Sequence, residues 1–245
     1  MQLVPDIVFK PIFDPLQNQR IGVLFSPGGN NGDRLIELAT MQLLGRFGIE
    51  YTLLDNTPWK QLDVILCGGG GNFGHPYCLQ ETLTRRRALN SGCKCILLPQ
   101  TAYGTEWGWH HHRTFFRDRQ SLIFHPGGIL APDLTFGLAC SDKFPEPTTV
   151  LGRFFSTSPE SLFLTLPNEG DPRHVQLTQP IEYITIASRY AHIVTDCLHF
   201  AIAGLIAQRR VTLIPTRLHK QRSTWESWLR DLGCEWANHP DKVES

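Results

Sequence analysis

The chain lacks a surplus of either charge. Its 23 lysines and arginines face 23 aspartates and glutamates, for a formal net charge of zero. That absence argues against a nucleic-acid partner, which needs a basic surface. No apolar run approaches the ~20 residues that cross a bilayer; the longest, Phe200 to Ala207, is interrupted by Gly204. The opening MQLVPDIVFKPIFDPL has neither a basic stretch nor a long apolar core, so no secretory leader is expected. Seven cysteines form an odd set without a C-x-x-C pair. Buried, reduced thiols in a cytoplasmic protein are the expectation. What is present is ordinary globular material: 41% hydrophobic and 19% charged residues exclude a disordered chain. A length of 245 residues suffices for one large domain or two small ones.

Residues 1–20 carry three prolines and no sustained period, which reads as an irregular lead-in. Ile21 to Phe25 is a short apolar run ending in Ser26-Pro-Gly-Gly-Asn-Asn-Gly-Asp33, and Leu35, Ile36, Ala39, Leu43 and Phe47 then recur at helical spacing. Leu53-Leu54 closes a second strand. A third, Leu62 to Leu66, runs into Cys67-Gly-Gly-Gly-Gly-Asn-Phe-Gly74; a basic helix over 79–89 and a strand over 95–98 follow. Residues 99–125 are rich in aromatics and histidines, and 156–180 read as loop. The last third returns to alternation, with strand ends at 192–195 and 211–214 and helices over 198–208 and 224–232. Ser223-x-x-Glu226 has capping-box spacing at the start of the last helix. Strands alternating with helices predict parallel sheets. The fold class expected is α/β, in two Rossmann-like domains: an N-terminal one over 1–125 and a C-terminal one over 126–245.

Gly69-x-Gly71-x-x-Gly74 matches the dinucleotide fingerprint, but four successive glycines satisfy many patterns and no acidic residue suits a ribose. Neither glycine turn carries a P-loop lysine, which argues against a nucleoside triphosphatase. Residues without Cβ at a strand-to-helix junction let backbone approach a ligand or another loop, and both turns should open at the carboxyl edge of a sheet. Asn30, Asn31 and Asp33 suit N-capping and equally suit sugar hydroxyls; Asn72 has the same two readings. Tyr103, Trp107 and Trp109 offer either hydrophobic cover or faces for stacking a sugar. His110 to His112 lack the i, i+4 spacing of a helical zinc pair, so no metal is expected.

The strongest local pattern is Val194-Thr-Asp-Cys-Leu-His-Phe-Ala-Ile202: a polar group ends a strand and a histidine enters the first turn of an apolar helix. Arg217, His219, Lys220, Arg222 and Ser223 follow the next strand, as cations beside a helix start suited to phosphate. With Gly28 to Asp33, Gly68 to Gly74, Arg117-Asp-Arg-Gln-Ser121, Ala131-Pro-Asp133 with Phe136, and Thr195-Asp-Cys-Leu-His199 taken in order, the chain resembles the polysaccharide pyruvyl transferases over roughly residues 20 to 230. The resemblance implies a GT-B-like arrangement of the two domains, acceptor on the N-terminal side and donor on the C-terminal side. It implies transfer of a pyruvyl unit from phosphoenolpyruvate to two hydroxyls of one sugar, forming a cyclic ketal and releasing phosphate. No cofactor beyond that donor substrate is implied.

By the resemblance, His199 is the acid/base that protonates the donor's methylene carbon. Arg117 clamps the donor anion and Lys220 contacts its phosphate, with Arg153, Arg222 and His219 on the same clamp. Asn31, Asp33, Asn72 and Trp107 face the acceptor, a lipid-linked oligosaccharide, which implies peripheral contact with the inner membrane by a cytoplasmic protein. The chain departs from the family where arginine usually precedes Leu-His: Cys197 stands there. Arg189, Arg210 and His219 are the nearest replacements along the sequence. It is also short for the family, and Arg153 is not followed by the usual acidic residue. Two other functions fit the same frame: a nucleotide-sugar glycosyltransferase, and a saccharide-binding paralogue without activity.

Overall fold

A computed structural model of the chain describes residues 2–25, 28–54, 59, 61–75, 78–140 and 143–243. The chain separates into two compact units, one of residues 4–29 and 36–137, the other of 1–3, 30–35 and 138–245. Both are α/β with parallel sheets.

In the first unit, β1 (Ile21–Leu24), β2 (Tyr51–Leu53), β3 (Val64–Cys67), β4 (Gly70–Phe73), β5 (Lys94–Ala102), β6 (Arg113–Phe116) and β7 (Ile129–Leu130) form a seven-stranded sheet. Its order is β2-β1-β3-β5-β6-β7, with β4 also paired to β5, and each pairing is parallel. Parallel neighbours need crossovers, supplied by α2 (Asn31–Arg46), α3 (Leu79–Leu89) and α4 (Ser121–Phe124). β1 and β3 are buried along their whole length, which is why they read as continuous apolar runs and not as alternation.

Three expectations change here. Residues before β1 are short helical turns, including α1 (Lys10–Phe13), and bury Phe9, Ile12, Phe13 and Leu16. Pro11 and Pro15 lie in the first turns of such segments, where a missing N–H costs nothing. The boundary expected at 125 falls at 137 because β7 adds to β6 and keeps the following residues with the first sheet. The Gly68 to Gly74 stretch is not simply a turn, since residues 70–73 form β4. Gly74 sits at φ +66°, and a Cβ there would lie 2.7 Å from Gly104 backbone atoms, so this glycine serves packing.

In the second unit, β8 (Thr149–Phe154), β9 (Tyr190–Thr195), β10 (Arg210–Leu213) and β11 (Glu235–Trp236) make a parallel sheet of order β11-β10-β9-β8. Its crossovers carry α5 (Glu182–Ser188), α6 (Leu198–Ile206) and α7 (Lys220–Thr224). The expected capping box is not formed. Helix α7 starts at Lys220 and passes into a π-helical turn, Trp225–Leu229, so Ser223 is inside it and Glu226 pairs with Arg222.

Candidate active site

The site grows from the carboxyl edge of the second unit's sheet, where open α/β sheets bind ligands. After β9, Asp196 and Cys197 make the turn into α6. Cys197 N–H donates to Thr195 Oγ1 (3.0 Å), Ser156 N–H donates to Asp196 Oδ1 (2.7 Å), and Gln221 Nε2 donates to the Asp196 carbonyl (2.9 Å). One aspartate thus joins the ends of β8 and β9 to α7. Asp196 and Cys197 are buried. Burial raises the Asp196 carboxyl above its ordinary range, opposed by the Ser161 side chain, Ser156 N–H, Cys197 and, least, Arg173. Burial also pushes the Cys197 thiol far up, reinforced by Asp196, so it is no thiolate nucleophile.

His199 occupies the first turn of α6 and meets the first turn of α2, residues of the same unit. A Cβ at Gly32 would lie 2.9 Å from His199 Cβ and Cγ, so only glycine lets this helix start rest on the imidazole. The turn is capped reciprocally: Gly32 N–H donates to Asn30 Oδ1 (2.8 Å) and Asn30 N–H to Asp33 Oδ2 (2.9 Å). Asn31 Nδ2 donates to the carbonyls of Pro172 (3.1 Å) and Val175 (2.8 Å), and Arg34 Nη1 to that of Leu177 (3.3 Å). The first α2 turn therefore holds both the imidazole and the 171–177 loop.

That loop presents Arg173. Its Nε donates to Asp171 Oδ1 (3.0 Å) and its Nη2 to Asp171 Oδ2 (2.6 Å). Asp171 also accepts from Arg173 N–H, Thr157 N–H and Thr157 Oγ1 (3.0, 2.8 and 2.9 Å). Burial disfavours its charge, yet Arg173 and Thr157 N–H hold the Asp171 carboxyl well below the usual range. Cys197 and Asp196 lie within electrostatic reach of the guanidinium.

The remaining candidate residues are distributed as follows. Lys220 is paired to Glu160 (2.6 Å). Arg222 pairs with Glu226 and stands 4.9 Å from the ring centres of both Trp225 and Trp236, so its guanidinium is a stacking element. His219 directly precedes α7, and Arg153 lies within β8 opposite Val194. In the first unit, Arg117 is buried, donating to Thr101 Oγ1 (2.9 Å) and Asp133 Oδ2 (2.6 Å). A guanidinium so enclosed braces the end of β6 against the 131–135 segment rather than clamping a ligand. Asn72 Oδ1 accepts from Arg85 Nη1 (2.8 Å), Asp33 Oδ2 serves the cap and Asn31 Nδ2 the loop, so one polar atom of each is already engaged within the protein. Trp107 is different: 78% exposed, it lines a cleft of about 650 Å³ with His110, His112, His125 and Arg86. Trp109 lies in the core. Ser26 and Pro27 of the first glycine turn lie outside the described residues.

A family model described as polysaccharide pyruvyl transferase matches residues 30–216. The chain belongs to that family. Membership makes it a transferase that places pyruvyl groups on polysaccharide, and the match spans the α2 start, Arg173 and His199 alike. A crystal structure of a functionally uncharacterized protein from Klebsiella pneumoniae superposes with a TM-score of 0.79 at 17% identity, covering 95% of this chain and 98% of that one. At that identity the likeness shows the fold. UDP-GlcNAc 2-epimerase from Neisseria meningitidis reaches a TM-score of 0.39 at 8% identity over 79% of this chain and 82% of that one, too distant to bear on function. No curated protein matches the chain.

For this pyruvyl transferase two of the three replacements expected for arginine at position 197, Arg210 and Arg189, lie elsewhere. Arg210 starts β10, at the sheet edge opposite Asp196, and pairs with Glu235 (2.9 Å); Arg189 closes α5 ahead of β9. The cation that reaches Cys197 is Arg173, which no periodicity singles out because it sits in a loop. Among the described residues no helix is long and apolar enough to cross a membrane.

Proposed function

We propose that the chain transfers the pyruvyl unit of phosphoenolpyruvate to two hydroxyls of one sugar in a surface-polysaccharide precursor. The product is a cyclic ketal with release of inorganic phosphate. The observation that carries this reading is one α2 turn that meets His199 and also grips the loop of a braced guanidinium, within the segment that matches the family. The first acceptor hydroxyl adds to the enol carbon as His199 protonates the methylene, giving a methyl group. Phosphate then leaves with the C–O electron pair, and the second hydroxyl closes the ketal. Two hydroxyl protons are released overall; one equals the proton gained by carbon and the other goes to phosphate. Imidazole chemistry suits this exchange, since one ring can both donate and accept a proton.

In this reading the two units form a GT-B-like pair, the second holding the donor and the first the acceptor. Lys220 exchanges Glu160 for the donor phosphate, with His219 beside it in sequence and Arg153 of β8 in support. Trp107 supplies a sugar-stacking face in its cleft. A lipid-linked oligosaccharide is the acceptor, reached by peripheral contact with the membrane.

Incubation with phosphoenolpyruvate and a lipid-linked oligosaccharide tests the reading: phosphate appears and the acceptor gains one pyruvylidene mass. If neither happens while a nucleoside diphosphate raises Tm and phosphoenolpyruvate does not, the reading gives way to glycosyl transfer.

A further inference from the structure

We infer that Arg173, braced by Asp171, is the residue that takes the donor's carboxylate beside His199. The inference rests on the pyruvyl-transfer reading and adds to it the identity of a specificity-determining cation.

The fork geometry comes first. A guanidinium has five N–H groups, and Asp171 uses Nε and one hydrogen of Nη2. Among the described residues no other bond from the Arg173 side chain is formed. The second edge of the fork, Nη1 with the remaining Nη2 hydrogen, is the edge that matches a carboxylate in bidentate fashion. Asp171 is 6% exposed and Arg173 19% exposed, so the anchor is buried and the arginine keeps part of its surface open to solvent. An arginine held this way loses little side-chain freedom on binding an anion.

Two buried polar atoms stand in its surroundings. Among the described residues Tyr183 Oη and Asp196 Oδ2 are both buried and find no hydrogen-bond partner, which is rare for buried polar atoms. Both belong to the electrostatic neighbourhood of Arg173: Tyr183 feels Arg173, Asp171 and Cys197, and Asp196 feels Arg173. A phenol and a carboxyl that burial drives toward its protonated form are hydrogen-bond donors, as a carboxylate ligand requires. Finally, adjacent residues of one helical turn fix the two working groups: Asn31 grips the Arg173 loop and Gly32 underlies His199.

The test relocates the charge. Calorimetry with phosphoenolpyruvate alone reads binding without an acceptor. Arg173→Ala should weaken binding roughly 10- to 100-fold, the scale of a lost charge-assisted pair. Because Cys197 neighbours Arg173, the double variant Arg173→Ala/Cys197→Arg should recover most of that loss from a different element. A purely structural brace would not be rescued in this way. Arg173→Lys, which keeps the charge and loses the fork, should bind weakly at unchanged Tm, and it decides the matter if the alanine variant does not fold. Unaltered binding by Arg173→Ala or Arg173→Lys overturns the inference, as does a loss that the double variant fails to recover. Absence of binding by the unmodified protein would instead overturn the phosphoenolpyruvate reading itself.

Discussion

His199 and Gly32 form one device, and substitutions at each should differ in what they spare. His199→Ala removes the proton donor. Phosphate release should fall by about 10²- to 10⁴-fold, the usual worth of a positioned acid/base, while Tm stays near that of the parent. Gly32→Ala adds a methyl group where His199 already stands. Alanine favours the helix by ~0.5–1 kcal/mol, which offsets only part of the clash with His199 Cβ, and the displaced ring should cost roughly 10- to 100-fold in turnover. A Gly32→Ala enzyme with full activity would show that contact with α2 does not position the imidazole. Arg117 offers the contrast. Its pair with Asp133 is enclosed on both sides, and Arg117→Ala leaves a carboxylate buried without its cation. Urea unfolding should show a loss of about 3–5 kcal/mol.

At the scale of elements, the first turn of α2 does three jobs with consecutive residues: Asn30 and Asp33 cap, Asn31 grips a loop, Gly32 yields to a ring. Asn31→Ala orphans two loop carbonyls, one of them in a buried bond. Removing such bonds costs about 1–3 kcal/mol. Because the loop also carries Arg173, KM for phosphoenolpyruvate should rise while kcat changes less, which steady-state phosphate assays separate. The glycine turn after β3 has the opposite meaning. Asn72 is spent on Arg85 and Gly74 on the approach of Gly104, with Gly74 N–H donating to Glu106 (2.9 Å), so that turn organises the first sheet. The two glycine turns look alike as strings. Their roles differ because one precedes a helix whose first turn meets His199 and the other extends into a strand.

Across the whole molecule, pH should act first through buried histidines. Burial lowers the pKa of His112 and His125 in the first unit and of His192 in the second. With folded values below the ordinary 6.5, the unfolded chain binds protons first on acidification, so stability declines as pH falls from about 6.5. Asp171, with its lowered pKa, adds a second loss in the carboxylate range: its contribution is present above the unfolded value and disappears as pH falls further. Chemical denaturation from pH 7.5 down to about 2.5 should show two successive declines. His192→Gln should soften the first if its ring bond to Thr212 (2.9 Å) is retained.

Strand and helix identity were legible in the chain because they are local. Buried strands need apolar runs and helices need a period near 3.6, so β1, β3, β9, β10, α3 and α6 fall close to where hydrophobic spacing puts them. The same locality made Thr195 to His199 readable as one strand-end turn with a histidine in the next helix. Which charges meet is another matter. Asn31 and the Pro172 carbonyl it binds are 141 residues apart, and nothing in the composition of the 156–180 stretch distinguishes Arg173 from a solvated arginine. Conversely Arg117 and Arg222, conspicuous among cations, are taken up by Asp133 and by two tryptophans. Periodicity records the burial of a residue's own face, whereas the partner of a charge is chosen only when distant loops are packed side by side.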